Sequence, residues 1–191
     1  MFEFLLQLDY RLFQVINFDL STSWGDIFFP WITDLHKTKY FGFIVVPLFL
    51  FIFVKKFKRI GITYFLFLIL ALSVSDFVGA KVKNGFERPR PSDNAELSVV
   101  QRTTAGHFSF YSNHTSNMFT FAAYTGSFIP QLKAPLLIIA TAVGYSRVYN
   151  GVHYPSDVLF GAIAGLIWGP LFAFFSRKLN EYLQKRKQAS T

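Results

Sequence analysis

The chain has no cysteine, and charged side chains occupy only 16% of its 191 positions. The first absence excludes disulfides, thiolate metal sites and cysteine nucleophiles, so covalent chemistry must fall to His, Ser, Asp or Lys. The second excludes an ordinary soluble domain, in which about 25% of residues are charged. The first twenty residues are not expected to be a secretory leader either, because Glu3, Asp9 and Arg11 interrupt the stretch that would form its apolar core. What fills the chain instead is Phe, Leu, Ile and Val in long runs: 25 residues are Phe and 52% are hydrophobic. That is the composition of a chain that lives in a bilayer.

At about 20 residues per crossing, residues 1–191 have room for one domain. The expectation is an all-α, polytopic membrane helix bundle with six transmembrane helices. The apolar runs place them near 22–36, 40–54, 60–83, 112–130, 135–150 and 156–176. Ahead of them the first twenty residues read as an interfacial amphipathic helix, with Phe4, Leu5, Leu8, Leu12, Phe13, Val15 and Ile16 on its apolar side. The one long polar stretch, Phe86–Phe110, exceeds what a simple connection needs.

Lys and Arg set the orientation. With a cytoplasmic N-terminus, eleven lie inside: Arg11, Lys55, Lys56, Lys58, Arg59, Lys133 and the tail Arg177, Lys178, Lys185, Arg186 and Lys187. Eight lie outside: Lys37, Lys39, Lys81, Lys83, Arg88, Arg90, Arg102 and Arg147. The outer cations gather in two segments, 81–90 and around 147, as an anion site would require. The net charge of +8 is therefore read as headgroup contact plus that site, with no nucleic-acid partner and no obligatory protein partner.

Three polar segments fall at outer helix ends: Lys83–Arg90, Ser112–His114 and Ser146–Asp157. Ionisable residues at membrane depth are costly unless paired or solvated, so such a cluster marks a site. Lys83, Arg90 and Arg147 can surround a phosphate, Arg through forked donors and Lys as a point charge. His153 and Asp157 are four apart, which lets the carboxylate hold one imidazole nitrogen and free the other. His114 supplies a second imidazole as an acid for the leaving oxygen. Two histidines, an anion cradle and no metal ligand set point to phosphoryl transfer through a phosphohistidine, with no cofactor.

In these motifs the chain resembles the type 2 phosphatidic acid phosphatase family of membrane lipid phosphatases, with its K-x6-R-P, P-S-G-H and S-R-x5-H-x3-D signatures. The third signature is complete from Ser146-Arg147 through His153 to Asp157. The second reads Tyr111-Ser112-Asn113-His114, with Asn in place of Gly and Tyr in place of Pro. The first fits twice, as Lys81 with Arg88-Pro89 and as Lys83 with Arg90-Pro91, and the motifs span residues 81–157. Helical phase selects Lys83, which returns to the face of Asp76, seven residues earlier, within about 20°. Asp76 itself is expected to orient a cation.

The resemblance implies that His153 attacks phosphorus, Asp157 orients it and His114 protonates the leaving group. It also implies that Lys83, Arg90, Ser112, Asn113 and Arg147 hold the phosphoryl oxygens, with Ser112 also capping the fourth span, and that no metal takes part. The substrate expected is a phospholipid or prenyl phosphate, foremost undecaprenyl diphosphate because small outer loops suit a small headgroup. The alternatives are phosphatidylglycerol phosphate, phosphatidic acid or lipid A, cleaved by a phosphatase or a phosphotransferase. Two readings of another class are a vanadium haloperoxidase-like oxidoreductase and a non-catalytic headgroup binder. The expected location is the bacterial cytoplasmic membrane, with the site on the outer side.

Overall fold

The computed structural model describes residues 2–35 and 38–189; Lys37, counted above among the outer cations, lies outside them. Every regular element among the described residues is helical. Helix α1 (Phe2–Gln14) runs on through a π turn (Val15–Asp19), and α2 is Gly25–Asp34. A π turn (Phe41–Val45) leads into α3 (Val46–Phe57). Then come α4 (Ile60–Phe86), α5 (Asn113–Phe128), α6 (Pro130–Tyr149) and α7 (Pro155–Ala189).

The helix ends follow from local chemistry. Glu87, in the left-handed region at φ 48°, returns its N–H to the Lys83 carbonyl at 2.9 Å and closes α4 before Pro89 forbids its continuation. Ser112 caps α5, and Pro130 and Pro155 open α6 and α7, where a missing N–H costs nothing.

Helix α5 is the hub. Gly161, Gly165 and Gly169 line one face of α7 at every fourth position, and a Cβ on any of them would strike the α5 backbone or the side chains on it. Such small-residue stripes let helices approach closely in a membrane. Here the approach brings the start of α5 to the start of α7, where the Ser112 N–H donates to the Asp157 carbonyl at 3.1 Å. At the far end an aromatic core of Phe53, Tyr64, Tyr124 and Phe128 ties α3, α4 and α5 together. Leu66, Ile69 and Phe77 of α4 and Leu159, Ile163 and Ile167 of α7 face outward. By length and composition α4 and α7 can each cross a membrane.

Two expectations change. Among the described residues of the stretch 22–36, α2 takes up Gly25–Asp34, whose 10 residues extend only about 15 Å against a hydrocarbon core of about 30 Å. Its first turn meets Tyr149 through Asp26 at 2.9 Å and its last meets Arg147 through Thr33 at 2.9 Å. Both ends therefore touch the final turn of α6, and α2 lies across that end of the bundle. Helix α1 sits at the same end: Phe13 packs on Val148 and Tyr154, and Asn17 donates to the Tyr149 carbonyl at 2.8 Å. Phe4, Leu5, Leu8, Leu12 and Val15 of the apolar side are exposed as expected, but Phe13 is buried and Ile16 packs against the protein.

Candidate active site

The end of α4, the start of α5, the end of α6, the link that follows it and the loop 87–112 line an open cavity of about 600 Å³. Lys83, Arg90, Asn113, His114, Arg147 and His153, drawn from all three sequence segments, line it together.

Each cation is held by neutral groups. The Lys83 ammonium donates to the carbonyls of Phe108 at 3.3 Å and Ser109 at 3.1 Å. Arg90 donates through Nε to the Gly106 carbonyl and through Nη1 to the Val152 carbonyl. Arg147, almost wholly buried, donates through Nη1 to Thr33 Oγ1 at 2.9 Å. None of these hydrogen-bond partners carries a charge, so three positive groups face one space against a single lining carboxylate, Asp76, and an anion gains most from entering it.

His153 lies in the short link between α6 and α7, turned by Gly151 at φ 77° and ended by Pro155. A Cβ on Gly151 would also press on the Val100 carbonyl, so glycine is required there twice over. The His153 ring is 2% exposed. Its Nδ1 lies 3.4 Å from Asp157 Oδ2, and its Nε2 lies 3.4 Å from Arg90 Nη1 inside the cavity. Burial, followed by the charges of Arg147, Lys83 and Arg90, holds the imidazole well below its ordinary pKa. A neutral ring with Nδ1–H directed at Asp157 leaves the Nε2 lone pair on the cavity side.

Asp157 is fully buried. Besides facing His153, it accepts from the Tyr154 N–H at 2.9 Å through Oδ2 and from Arg88 Nη1 at 2.7 Å through Oδ1. Arg88 belongs to the alternative fit of the first motif, and the structure separates the two arginines. The chain is extended at Arg90 (φ −77°, ψ 162°), so residues two apart point similarly along a strand-like stretch only if it stays straight. Here the two side chains diverge: Arg88 reaches behind Asp157 while Arg90 enters the cavity.

The second motif departs most from expectation. Ser112 is buried and is not among the cavity-lining residues; its Oγ accepts from Thr115 Oγ1 at 3.0 Å, so the side chain serves the cap. Asn113 does line the cavity, but its Nδ2 donates to the Asp76 carbonyl at 3.2 Å and to Asp76 Oδ1 at 3.0 Å. The amide that the sequence offers to phosphate is thus engaged on α4. It fits because residue 79 is glycine: a Cβ there would strike the Asn113 carboxamide. Asp76, expected to orient a cation, accepts instead from Asn113 and, at 3.4 Å, from Asn117. Sequence reasoning gives Thr33 no role and treats Asp9 only as a charge that interrupts the N-terminal apolar stretch, while Arg88 enters it as the arginine of the first motif's alternative fit.

The model of the PAP2 superfamily matches residues 63–181. A lipid A 4'-phosphatase of Bacteroides thetaiotaomicron is 29% identical over 96% of this chain and 84% of its own length. The undecaprenyl-diphosphatase BcrC of Bacillus subtilis is 33% identical over 41% of each chain. The crystal structure of Aquifex aeolicus LpxE superposes with a TM-score of 0.71 at 31% identity, covering 86% of this chain and 94% of that one.

Proposed function

The chain belongs to the PAP2 superfamily, and from that premise we propose that it is a membrane lipid phosphatase working through a phosphohistidine at residue 153. The observation that carries this reading is a buried His153, backed by Asp157, whose Nε2 faces a cavity walled by Lys83, Arg90 and Arg147. Nε2 attacks phosphorus as the bond from phosphorus to the lipid oxygen breaks. His114, in the first turn of α5, passes its proton to that leaving oxygen. Water then attacks the phosphohistidine, giving up a proton to His114 and releasing inorganic phosphate and free His153. The three cations stabilise charge gathering on the equatorial oxygens. The N-terminus of α5, capped by Ser112, adds its positive end.

For the substrate, the sequence favours a prenyl diphosphate because little outer material is available to hold a large headgroup. With α1 and α2 packed at the site end, that end is better furnished. The cavity of about 600 Å³ also falls in the ~300–1,000 Å³ range of sites that enclose whole ligands. These features, with the nearly full-length similarity to a lipid A 4'-phosphatase, support a phosphorylated saccharolipid. Undecaprenyl diphosphate is the second reading, supported by similarity over a shorter stretch. Phosphate release from lipid A, undecaprenyl diphosphate, phosphatidylglycerol phosphate and phosphatidic acid in detergent separates the two. A preference for lipid A of tenfold or more in kcat/KM is expected, and equal or greater turnover of undecaprenyl diphosphate would reverse the assignment.

A wall of three cations disfavours a divalent metal and favours an anion. Activity is therefore expected to persist in EDTA and to be inhibited by vanadate, a five-coordinate mimic of phosphoryl transfer. Loss in EDTA with recovery on adding magnesium would contradict the metal-free scheme.

The membrane arrangement follows from the helix ends. In this reading α3 to α7 cross the bilayer, while α1 and α2 lie at its surface beside the site. The N-terminus then shares the site's side, and five crossings replace six. Lys55–Arg59 and the α7 tail stand at the opposite, cytoplasmic end, so the site opens outside the cytoplasmic membrane. Because the chain has no cysteine, Ser98→Cys and Gln184→Cys can be read without background. An impermeant maleimide on spheroplasts is expected to label the first and spare the second, and the reverse pattern would invert the topology.

A further inference from the structure

Helix α1 grips the catalytic link from outside the bilayer core. Asp9 Oδ1 accepts from the Ser156 N–H at 2.8 Å, and Asp9 Oδ2 accepts from Ser156 Oγ at 2.5 Å and from Arg88 Nη2 at 2.7 Å. The other arm of the same guanidinium donates to Asp157 Oδ1 at 2.7 Å and to Ser156 Oγ at 2.7 Å. Tyr10 and Phe13 lie against the Tyr154 ring at centroid distances of 5.4 and 5.8 Å, and Arg88 stacks on its face at 3.9 Å. Residues 154 and 156 are thereby clamped by α1, and residues 153 and 157 between and beside them are the pair that performs the chemistry.

We propose that Arg88 and Asp9 are positioning residues of this enzyme: Arg88 fixes the Asp157 carboxylate behind His153, and Asp9, carried on the surface helix α1, fixes Arg88. The inference rests on the reading of His153 as the nucleophile. Neither residue lines the cavity, so neither touches substrate. Asp157 is fully buried, and a buried carboxylate needs both a countercharge and its hydrogen bonds in place. Arg88 supplies the countercharge, and its fork can hold two carboxylates at a fixed separation, which a lysine cannot do. The outward face of α1 carries Phe4, Leu5, Leu8 and Leu12, all exposed. Seating that face in the headgroup layer therefore also sets the carboxylate that aims the nucleophile.

The test compares Asp9→Asn, Arg88→Lys and Arg88→Ala with His153→Ala, all as full chains in detergent, on dioctanoyl phosphatidic acid. A misplacement of about 1 Å costs on the order of 10²-fold. Arg88→Ala is expected to lower kcat by about that factor, Asp9→Asn by about tenfold, and Arg88→Lys to fall between them, since an ammonium reaches Asp157 without spanning to Asp9. KM and the vanadate inhibition constant should stay within about twofold of wild type because Lys83, Arg90 and Arg147 are untouched. A merely structural role would instead move binding and kcat together. If Arg88→Ala does not fold, the other two variants decide, their size and polarity being conserved. A wild-type kcat in Asp9→Asn or Arg88→Lys, or a matching loss of vanadate affinity, overturns the proposal. Wild-type turnover by His153→Ala overturns the nucleophile itself, which is a separate failure.

Discussion

Replacing His153 by alanine is expected to lower phosphate release by roughly 10⁴-fold or more, the scale on which loss of a covalent nucleophile acts. The alternative source of turnover, direct attack by water held in the cationic cradle, lacks both the nucleophile and the carboxylate-backed base. The side chain is 2% exposed, so alanine leaves a hole costing about 1–3 kcal/mol of stability. His153→Asn, nearer in volume, serves as the companion variant and should be equally inactive. Phosphate release and thermal unfolding measured on the same detergent-purified samples check both parts. Near wild-type release by a folded variant would remove the phosphohistidine.

The second large effect concerns His114, which lines the cavity from the first turn of α5. General acids contribute about 10²–10⁴-fold when the leaving group is a poor one. His114→Ala is accordingly expected to slow lipid phosphate hydrolysis by that amount, because an alkoxide leaves badly without a proton. With p-nitrophenyl phosphate, whose phenolate leaves unprotonated, the loss should shrink to about tenfold or less. The measurement is kcat/KM for both substrates on one preparation. Equal losses would mean that His114 holds the phosphate and does not move a proton.

How far the molecule can be read from its sequence depends on the range of the interaction involved. The segments 40–54, 60–83, 112–130, 135–150 and 156–176 all coincide with helices, because long apolar runs bounded by Pro, Gly and charge are local signals. The motif residues Lys83, Arg90, His114, Arg147 and His153 converge on one cavity, because helix phase and alternating chain direction constrain where span ends can meet. The stretch 22–36 misleads, since an apolar run at the surface of a bundle has the same composition as a crossing. Only its contacts with the last turn of α6 reveal that it lies across the end.

The remaining misses all involve partners far apart in the chain. Asp9 meets Arg88 and Ser156 across 79 and 147 residues, and Thr33 meets Arg147 across 114. No periodicity encodes such pairs. Asn113 is instructive in another way: its residue type could be weighed from sequence, but its direction could not. Its amide turns to Asp76 on α4 because Gly79 leaves the space, which makes the departure from the family's glycine a helix-to-helix contact. The double fit of the first motif resolves similarly. Both arginines are used, Arg90 from the cavity side and Arg88 from behind Asp157, and phase along α4 alone could select only one.

The most direct measurement of the central claim is capture of the phosphoenzyme. Enzyme mixed with a ³²P-labelled lipid phosphate is quenched in alkali during the first turnover and digested, and the labelled peptide is sequenced. A phosphoramidate at histidine survives alkali and is lost in acid, unlike a phosphoserine ester. The account predicts alkali-stable label on the peptide carrying His153, absent from His153→Ala and accumulating in His114→Ala when ³²P-labelled p-nitrophenyl phosphate is the donor, because His114 also takes the proton of the attacking water. Label on any other residue, or stoichiometric phosphate release with no label at any time in a fully active preparation, would contradict it.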